Sequence, residues 1–101
     1  MEEKKSCPCG ERKTERGELK KQLLNRLKRI EGQVRGIQAM IENDAYCNDV
    51  LIQSAAVNNA MNAFNIELLS NHVKTCVARD IRSGNDEIID ELLKTLQKLM
   101  R

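Results

Sequence analysis

Hydrophobic residues between positions 19 and 41 recur at alternating spacings of four and three residues. They are Leu23, Leu27, Ile30, Val34, Ile37 and Ile41. This repeat is that of one face of an α-helix, and it continues for about three heptads. The pattern therefore predicts a first amphipathic helix of medium length that begins near Leu19.

A second, longer helix is predicted from about Ala45 to Arg82. Its apolar residues are Val50, Leu51, Ala55, Val57, Met61, Phe64, Leu68 and Leu69. They cover a broad surface, which is typical of a helix that is buried on more than one side. Asp44 is expected to cap its N-terminus, and Gly84 is expected to end it, because glycine commonly follows the last residue of a helix.

A third, short helix is predicted after Asn85 or Asp86, either of which can serve as its N-cap. Its apolar face consists of Ile88, Ile89, Leu92, Leu93, Leu96 and Leu99. The pattern thus predicts an all-α fold of three helices (medium, long, short) in one domain, 18–101, after a flexible polar tail, 1–17. So short a chain cannot bury the apolar faces of such helices alone, and we therefore expect an oligomer.

Positive charge is concentrated in the first third of the chain. Residues 1–35 contain eleven Lys and Arg against six Asp and Glu, whereas residues 36–73 contain four acids and no Lys or Arg. On the first helix, Lys21, Lys28 and Arg35 are seven residues apart opposite the apolar stripe, and Arg26 and Arg29 flank them. This distribution suggests an anionic partner such as nucleic acid, although an ordinary solvated helix face explains it about equally well.

The chain lacks an apolar run near the ~20 residues of a membrane span. Its first ten residues, MEEKKSCPCG, contain no hydrophobic signal segment. We therefore expect a cytoplasmic protein without a membrane partner, in which thiols stay reduced. In that compartment, the four cysteines are candidates for metal ligands, reactive thiols or buried apolar residues rather than for disulfides.

Three residues that favour soft metals occur on the long predicted helix. His72, the only histidine, precedes Cys76 by four residues, so the two lie on one helical face. Cys47 precedes His72 by 25 residues, which is roughly 38 Å along a helix axis but nearly a return to the same face. Two antiparallel copies of an unbroken helix would bring Cys47 of one chain to His72 and Cys76 of the other. The spacing therefore predicts a site shared by two subunits.

Two thiolates and one imidazole suit Cu(I), which accepts three ligands, whereas Zn(II) usually takes four and nickel and cobalt prefer more nitrogen and oxygen. Taken singly, His72 is explained as a surface residue, and Cys47 and Cys76 as small buried apolar residues. Their shared helical face is what favours a metal site. Cys7 and Cys9 form a Cys-Pro-Cys motif with no further ligand nearby, and we leave them out of the site.

Three segments closely resemble the CsoR/RcnR family of bacterial metal- and stress-sensing transcriptional repressors. They are NRLKRIEGQVRGIQAMIENDAYCNDVLIQ (25–53), LLSNHVKTCV (68–77) and DELLKTL (90–96). Within this family, Cys47, His72 and Cys76 match the ligands of the copper sensors. The resemblance implies an antiparallel helical dimer whose sites bridge its subunits, with dimers pairing into a tetramer. It also implies that the metal-free tetramer binds operator DNA of copper-resistance genes and that Cu(I) releases it.

The resemblance also suggests roles for other residues. Tyr46 matches a position that forms a hydrogen bond near the histidine, as does Glu91 once a short deletion is allowed. Arg26 matches a basic residue implicated in DNA contact, whereas Ala63 stands where some members have arginine. The predicted DNA surface therefore lies mainly on the first helix, at Lys21, Arg26, Lys28, Arg29 and Arg35. Without a recognisable helix-turn-helix, recognition is expected to depend on phosphate contacts and DNA shape.

Several alternatives remain beside a copper sensor. Three other branches of this family fit the ligands less well. Nickel and cobalt sensors have histidine in place of Cys76 and an N-terminal histidine that this chain lacks. Formaldehyde sensors generally lack the second cysteine, and persulfide sensors replace His72. A copper-buffering protein would share the ligands but would not need the cationic residues, and a thiol redox enzyme based on Cys7 and Cys9 is a remote alternative. With no catalytic base or cofactor motif recognised, we expect neither an enzyme nor a small organic substrate.

Overall fold

The computed structural model describes residues 15–100, and within this range the chain is helical, with no strand. In chain order its elements are α1 (Glu18–Glu42), α2 (Cys47–His72), a π-helical turn (Val73–Val77), α3 (Ala78–Arg82) and α4 (Glu87–Leu99). The predicted all-α class is confirmed. Most of the predicted tail, including Cys7 and Cys9, lies outside the described residues. None of the helices in residues 15–100 combines the length and the apolar character needed to cross a membrane.

The described residues divide into two compact units, a first unit formed by Arg16–Leu68 and a second unit that begins at Leu69. In the first unit, Leu23 and Ile30 of the predicted apolar stripe on α1 are buried. Leu27, Val34 and Ile41 of that stripe are exposed, from Leu27 at 37% to Ile41 at 61%, and Ile37 is half-buried. The periodic pattern thus identifies the apolar face of α1, but one chain buries only part of it.

The turn between α1 and α2 is built by Asp44, which adopts a left-handed backbone conformation with φ of 56°. The Asp44 N–H donates to the Ile41 carbonyl at 3.1 Å, and the Ala45 N–H donates to the Met40 carbonyl at 2.9 Å. These two bonds form a Schellman motif, which ends a helix. The prediction that Asp44 caps the second helix is therefore wrong. Aspartate tolerates the left-handed region, so it ends α1, and α2 begins three residues later.

The predicted unbroken second helix is also wrong in one place. α2, the π-helical turn and α3 follow one another up to Arg82, but residues Val73–Val77 form the wider π pattern. The Thr75 hydroxyl donates to the Asn71 carbonyl at 2.8 Å. That carbonyl is the acceptor that the Thr75 N–H would use in an α-helix, so the side chain competes with regular α-helical bonding.

The second unit has a small core. Its buried residues include Cys76, Val77 and Ile88. Gly84, with φ of 85°, ends α3 as predicted, and the Asn85 N–H completes the motif by donating to the carbonyl of residue 80 at 2.8 Å. Asp86 is the N-cap residue of α4, one of the two predicted positions. The predicted apolar face of α4 is only partly covered, since Ile89, Leu93 and Leu99 are exposed.

Candidate metal centre and DNA-binding surface

Cys47 is the first residue of α2, and its thiol is free and exposed. The residue before it, Tyr46, has a carbonyl that accepts the N–H groups of Asp49 at 3.0 Å and Val50 at 3.2 Å. This pair of bonds closes the first turn of the helix. The Tyr46 side chain is 70% exposed. The thiol of Cys47 and the phenol of Tyr46, at the start of α2, are therefore both exposed to solvent.

His72 and Cys76 are both in the second unit. His72 is the last residue of α2 and is half-buried, whereas Cys76 lies within the π-helical turn and is 1% exposed. Glu91, on α4 of the same unit, is half-buried, and its Oε1 atom is shielded from solvent. Two of the predicted ligands and one of the residues expected beside them thus belong to one compact part of the chain.

Within residues 15–100, no three His, Cys, Asp or Glu side chains gather into a cluster that could hold a metal ion. The described part of one chain therefore does not assemble the predicted ligands into a site. The donor set itself, two thiolates and one imidazole, is of the soft kind that fits Cu(I). Because Cys47 is exposed at the start of α2, its thiol is accessible to a second chain.

Asp80 is a buried acid that the sequence does not reveal. It is 5% exposed and lies on α3, four residues after Cys76. Its Oδ1 is 3.8 Å from Nε of Arg79, while its Oδ2 is buried without a hydrogen-bond partner among the described residues. Its only sequence signal is the four-residue spacing from Cys76, which many surface residues share.

Four of the five cations predicted to contact DNA are exposed on α1, and they are Lys21, Lys28, Arg29 and Arg35. Arg35 is paired with Glu31 of the same helix at 3.5 Å, and the two side chains are 75% and 64% exposed. An exposed pair of this kind is weak, so it leaves Arg35 available to an anionic partner. The described surface of α1 is therefore cationic along the face opposite its apolar stripe.

Arg26, the fifth of these cations, is held differently. Its Nε donates to Oε1 of Glu67 on α2 at 2.7 Å, and the two side chains are 40% and 28% exposed. Both residues belong to the first unit. They line an open polar groove of about 280 Å³ together with Gln22, Asn25 and Arg29. Glu67 was missed by sequence reasoning because it is 41 residues from Arg26 in the chain.

Comparison with known proteins identifies the family. The family model of metal-sensitive transcriptional repressors matches residues 19–98. The copper-sensing transcriptional repressor CsoR of Bacillus subtilis (strain 168) is 53% identical over 83 residues, which are 81% of this chain and 82% of that protein. The copper-sensing transcriptional repressor RicR of Mycobacterium tuberculosis (strain ATCC 25618 / H37Rv) is 43% identical over 79 residues, 75% of this chain and 82% of that protein.

Solved structures share the fold. The copper-sensing repressor CsoR with Cu(I) from Geobacillus thermodenitrificans NG80-2 matches with a TM-score of 0.82 at 38% identity, over 88% of this chain and 94% of that one. The nickel-responsive transcriptional regulator InrS matches with a TM-score of 0.67 at 35% identity, over 86% of this chain and 97% of that one. The fold is that of an all-helical metal-responsive regulator. This chain belongs to the family of metal-sensitive transcriptional repressors, which confirms the predicted resemblance.

Proposed function

We propose that this protein is a copper(I)-responsive repressor that acts in the cytoplasm. Without metal it binds the operator DNA of copper-resistance genes, and Cu(I) releases it. The observation that carries this proposal is the set of Cys47, His72 and Cys76 in a chain similar to repressors named as copper-sensing. These three residues offer soft donors in the number that Cu(I) accepts.

The proposed site is shared between two subunits, with Cys47 from one and His72 and Cys76 from the other. Two features support this arrangement. The described part of a single chain forms no three-ligand cluster, and the Cys47 thiol is exposed at the first residue of α2. Bound Cu(I) supplies a soft Lewis acid that joins the ligands of two chains. By resemblance, Tyr46 and Glu91 lie beside the histidine and orient it.

The proposed assembly is an antiparallel dimer, with dimers pairing into a tetramer. The support is the amount of apolar surface that one chain leaves uncovered. Leu51 and Ile66 on α2 are 65% and 67% exposed, and Ile41 on α1 is 61% exposed. Exposed apolar surface of this extent indicates association, and two-fold symmetry is its commonest form.

The DNA surface is proposed to comprise Lys21, Arg26, Lys28, Arg29 and Arg35 of each subunit. Their repetition over the oligomer extends the cationic face, which suits recognition through the phosphate backbone. For Cu(I) to weaken DNA binding about a hundredfold, the two sites must be coupled by roughly 2.7 kcal/mol. A metal bond between two subunits can supply this coupling if it favours an assembly whose cationic faces fit DNA poorly.

The proposal is tested by fluorescence anisotropy with a labelled fragment of the gene's own promoter, measured anaerobically with and without Cu(I). The wild-type protein should bind without metal and lose roughly a hundredfold in affinity with Cu(I). Cys47→Ala and His72→Ala should keep the metal-free affinity but lose the response to Cu(I). Asn48→Ala, a neighbouring exposed position, is the matched control and should respond as the wild type does.

Each failure in this experiment has a distinct meaning. A Cys47→Ala protein that still releases DNA with Cu(I) would show that the site assignment is wrong. A wild-type protein that binds Cu(I) but no promoter fragment would instead indicate a copper-buffering role. Release by persulfide or formaldehyde, and not by Cu(I), would place the protein in another branch of its family.

A nickel-responsive regulator is the second candidate, because InrS shares the fold. The ligand set argues against it, since two of the three proposed donors are thiolates and the chain has one histidine. Ni(II) is therefore added as a separate arm of the same assay. If Ni(II) releases the protein from DNA and Cu(I) leaves it bound, the second candidate is favoured over the first.

A further inference from the structure

The polar groove between α1 and α2 of the first unit has an unusual composition. Four of its lining side chains carry N–H donors, namely Gln22, Asn25, Arg26 and Arg29. The fifth, Glu67, is an acceptor, and it is bonded to Nε of Arg26 at 2.7 Å. The groove therefore offers mainly N–H donors, and its one carboxylate is bonded where an external anion could bind. It is open to solvent and adjoins the cationic face of α1 through Arg29.

We propose that this groove binds one phosphate of the DNA backbone, and that Glu67 occupies Arg26 until that phosphate displaces it. The proposal rests on the DNA-binding role proposed above and names a residue that sets its strength. Glu67 thereby limits the metal-free affinity for DNA, because part of the binding energy of Arg26 is spent on exchanging one anion for another.

The chemistry of the groove favours a phosphate group. Guanidinium groups bind phosphate oxygens in a forked geometry, and side-chain amides add further donors. The contact with Glu67 engages only Nε of Arg26, so the terminal amino groups of this side chain remain for a phosphate. Arg29 brings a second guanidinium to the same groove. Together these groups offer more donors than the single carboxylate can accept.

The sign of the Glu67 effect follows from comparing two interactions. Arg26 gives up its ion pair with Glu67 when it turns to a phosphate, and this loss lowers the net gain from binding DNA. A carboxylate and a phosphate on one guanidinium repel each other at close range, and the partly buried position of Glu67, 28% exposed, reduces the screening by solvent. Repulsion therefore outweighs any benefit from Glu67 orienting Arg26. Neutralising Glu67 is expected to strengthen DNA binding.

The decisive variant is Glu67→Gln, which removes the charge but keeps an oxygen that can accept from Arg26. Binding of the promoter fragment is measured without copper over a series of salt concentrations. Glu67→Gln should bind roughly tenfold more tightly than the wild type. The plot of log affinity against log salt should steepen by about one unit for each groove in contact with DNA, because Arg26 is no longer neutralised in the free protein. Glu67→Ala should act in the same direction.

Two comparisons establish that the effect passes through Arg26. In an Arg26→Ala background, Glu67→Gln should change the affinity by less than about twofold, because the displaced cation is gone. Glu31→Gln is the matched control. It makes the same change of charge in the exposed Arg35–Glu31 pair, so its effect should be smaller and should persist when Arg26 is replaced.

Two results would overturn the proposal. One is that Glu67→Gln binds DNA no more tightly than Glu31→Gln does. The other is that Glu67→Gln raises the DNA affinity equally in the wild type and in the Arg26→Ala background. Inorganic phosphate alone, at constant ionic strength, should not saturate the Arg26 and Arg29 side-chain resonances, because it lacks the other DNA contacts that help to displace Glu67. Saturation would make the groove a free-anion site instead. If the wild type binds DNA but Glu67→Gln is unchanged, only this phosphate site fails; if the wild type binds no DNA, the repressor role fails with it.

Discussion

The backbone changes from α-helical to π-helical between His72 and Cys76. His72 ends α2, half-buried, and Cys76 lies inside the turn formed by Val73–Val77, where it is 1% exposed. π-Helical turns inside longer helices occur frequently at functional sites. The two ligands proposed for one subunit therefore lie on a stretch of backbone whose bonding is already irregular. Such a stretch is well suited to adjust when a metal binds, because fewer regular α-helical bonds have to be broken.

Mixing two inactive variants tests whether the ligands come from different subunits. In a mixed dimer of Cys47→Ala and His72→Ala chains, one site contains all three ligands and the other lacks two. Random mixing should restore about a quarter of the wild-type Cu(I) stoichiometry, since half of the dimers are mixed and each has one complete site. The measurement is an anaerobic Cu(I) titration after joint unfolding and refolding of the two proteins.

The control for this experiment is each variant refolded alone, which should show no high-affinity binding of Cu(I). Restoration requires that the two chains exchange, and mass spectrometry of the intact oligomer verifies that they do. Verified mixed dimers that bind no Cu(I) would contradict a shared site.

Removal of one exposed cation should reduce the salt dependence of DNA binding. Lys28→Ala is expected to lower the slope of log affinity against log salt by about one unit for each Lys28 that contacts a phosphate. The loss of affinity should be similar for all DNA sequences, because a phosphate contact carries no sequence information. Lys98→Ala on α4 is the control and should leave the slope unchanged. Equal effects of the two variants would argue against α1 as the DNA surface.

Local signals explain how much of the fold could be predicted from the sequence. The apolar spacing on α1 and the glycine at position 84 act over one or two turns of chain, and both led to correct predictions. Asp44 shows the limit of such signals. Aspartate favours both an N-cap and the left-handed end of a helix, and the choice depends on which neighbouring backbone groups need partners. Here the carbonyls of Met40 and Ile41 accept those bonds.

Other features depend on contacts that sequence does not record. The segment Val73–Val77 has an ordinary helical composition, VKTCV. Nothing in the order of these residues indicates that they adopt a π-helical pattern. The Arg26–Glu67 pair joins residues 41 positions apart on two helices. Sequence reasoning could place Arg26 on the cationic side of α1, but it could not place an acid beside it. The candidate ligands were predictable by type and spacing, and their joint site stays a prediction.

The left-handed conformation of Asp44 leads to a prediction about stability. Glycine adopts φ near 56° without the steric cost that a Cβ atom introduces, so Asp44→Gly should raise the free energy of unfolding by about 0.5–1 kcal/mol. Thermal unfolding monitored by circular dichroism measures the change. Glu42→Gly, two residues earlier in the last turn of α1, should instead lower stability by about the same amount. A destabilised Asp44→Gly protein would contradict the assigned turn.

The exposed apolar residues of α2 make the proposed oligomer directly testable. Leu51 lies one helical turn after Cys47 and is 65% exposed, so a partner that reaches the Cys47 thiol should also cover this side chain. Leu51→Glu places a charge there in both copies of a two-fold interface. At roughly 2 kcal/mol for each lost leucine contact, the dimer dissociation constant should rise about a thousandfold. Sedimentation velocity over a dilution series measures this constant. Met100→Glu, at an 82% exposed position after α4, is the control and should leave the assembly intact.

Because the proposed metal site requires two chains, Leu51→Glu should also lose Cu(I) binding at concentrations at which it is monomeric. A monomeric Leu51→Glu protein that binds Cu(I) as the wild type does would separate the metal site from the subunit interface.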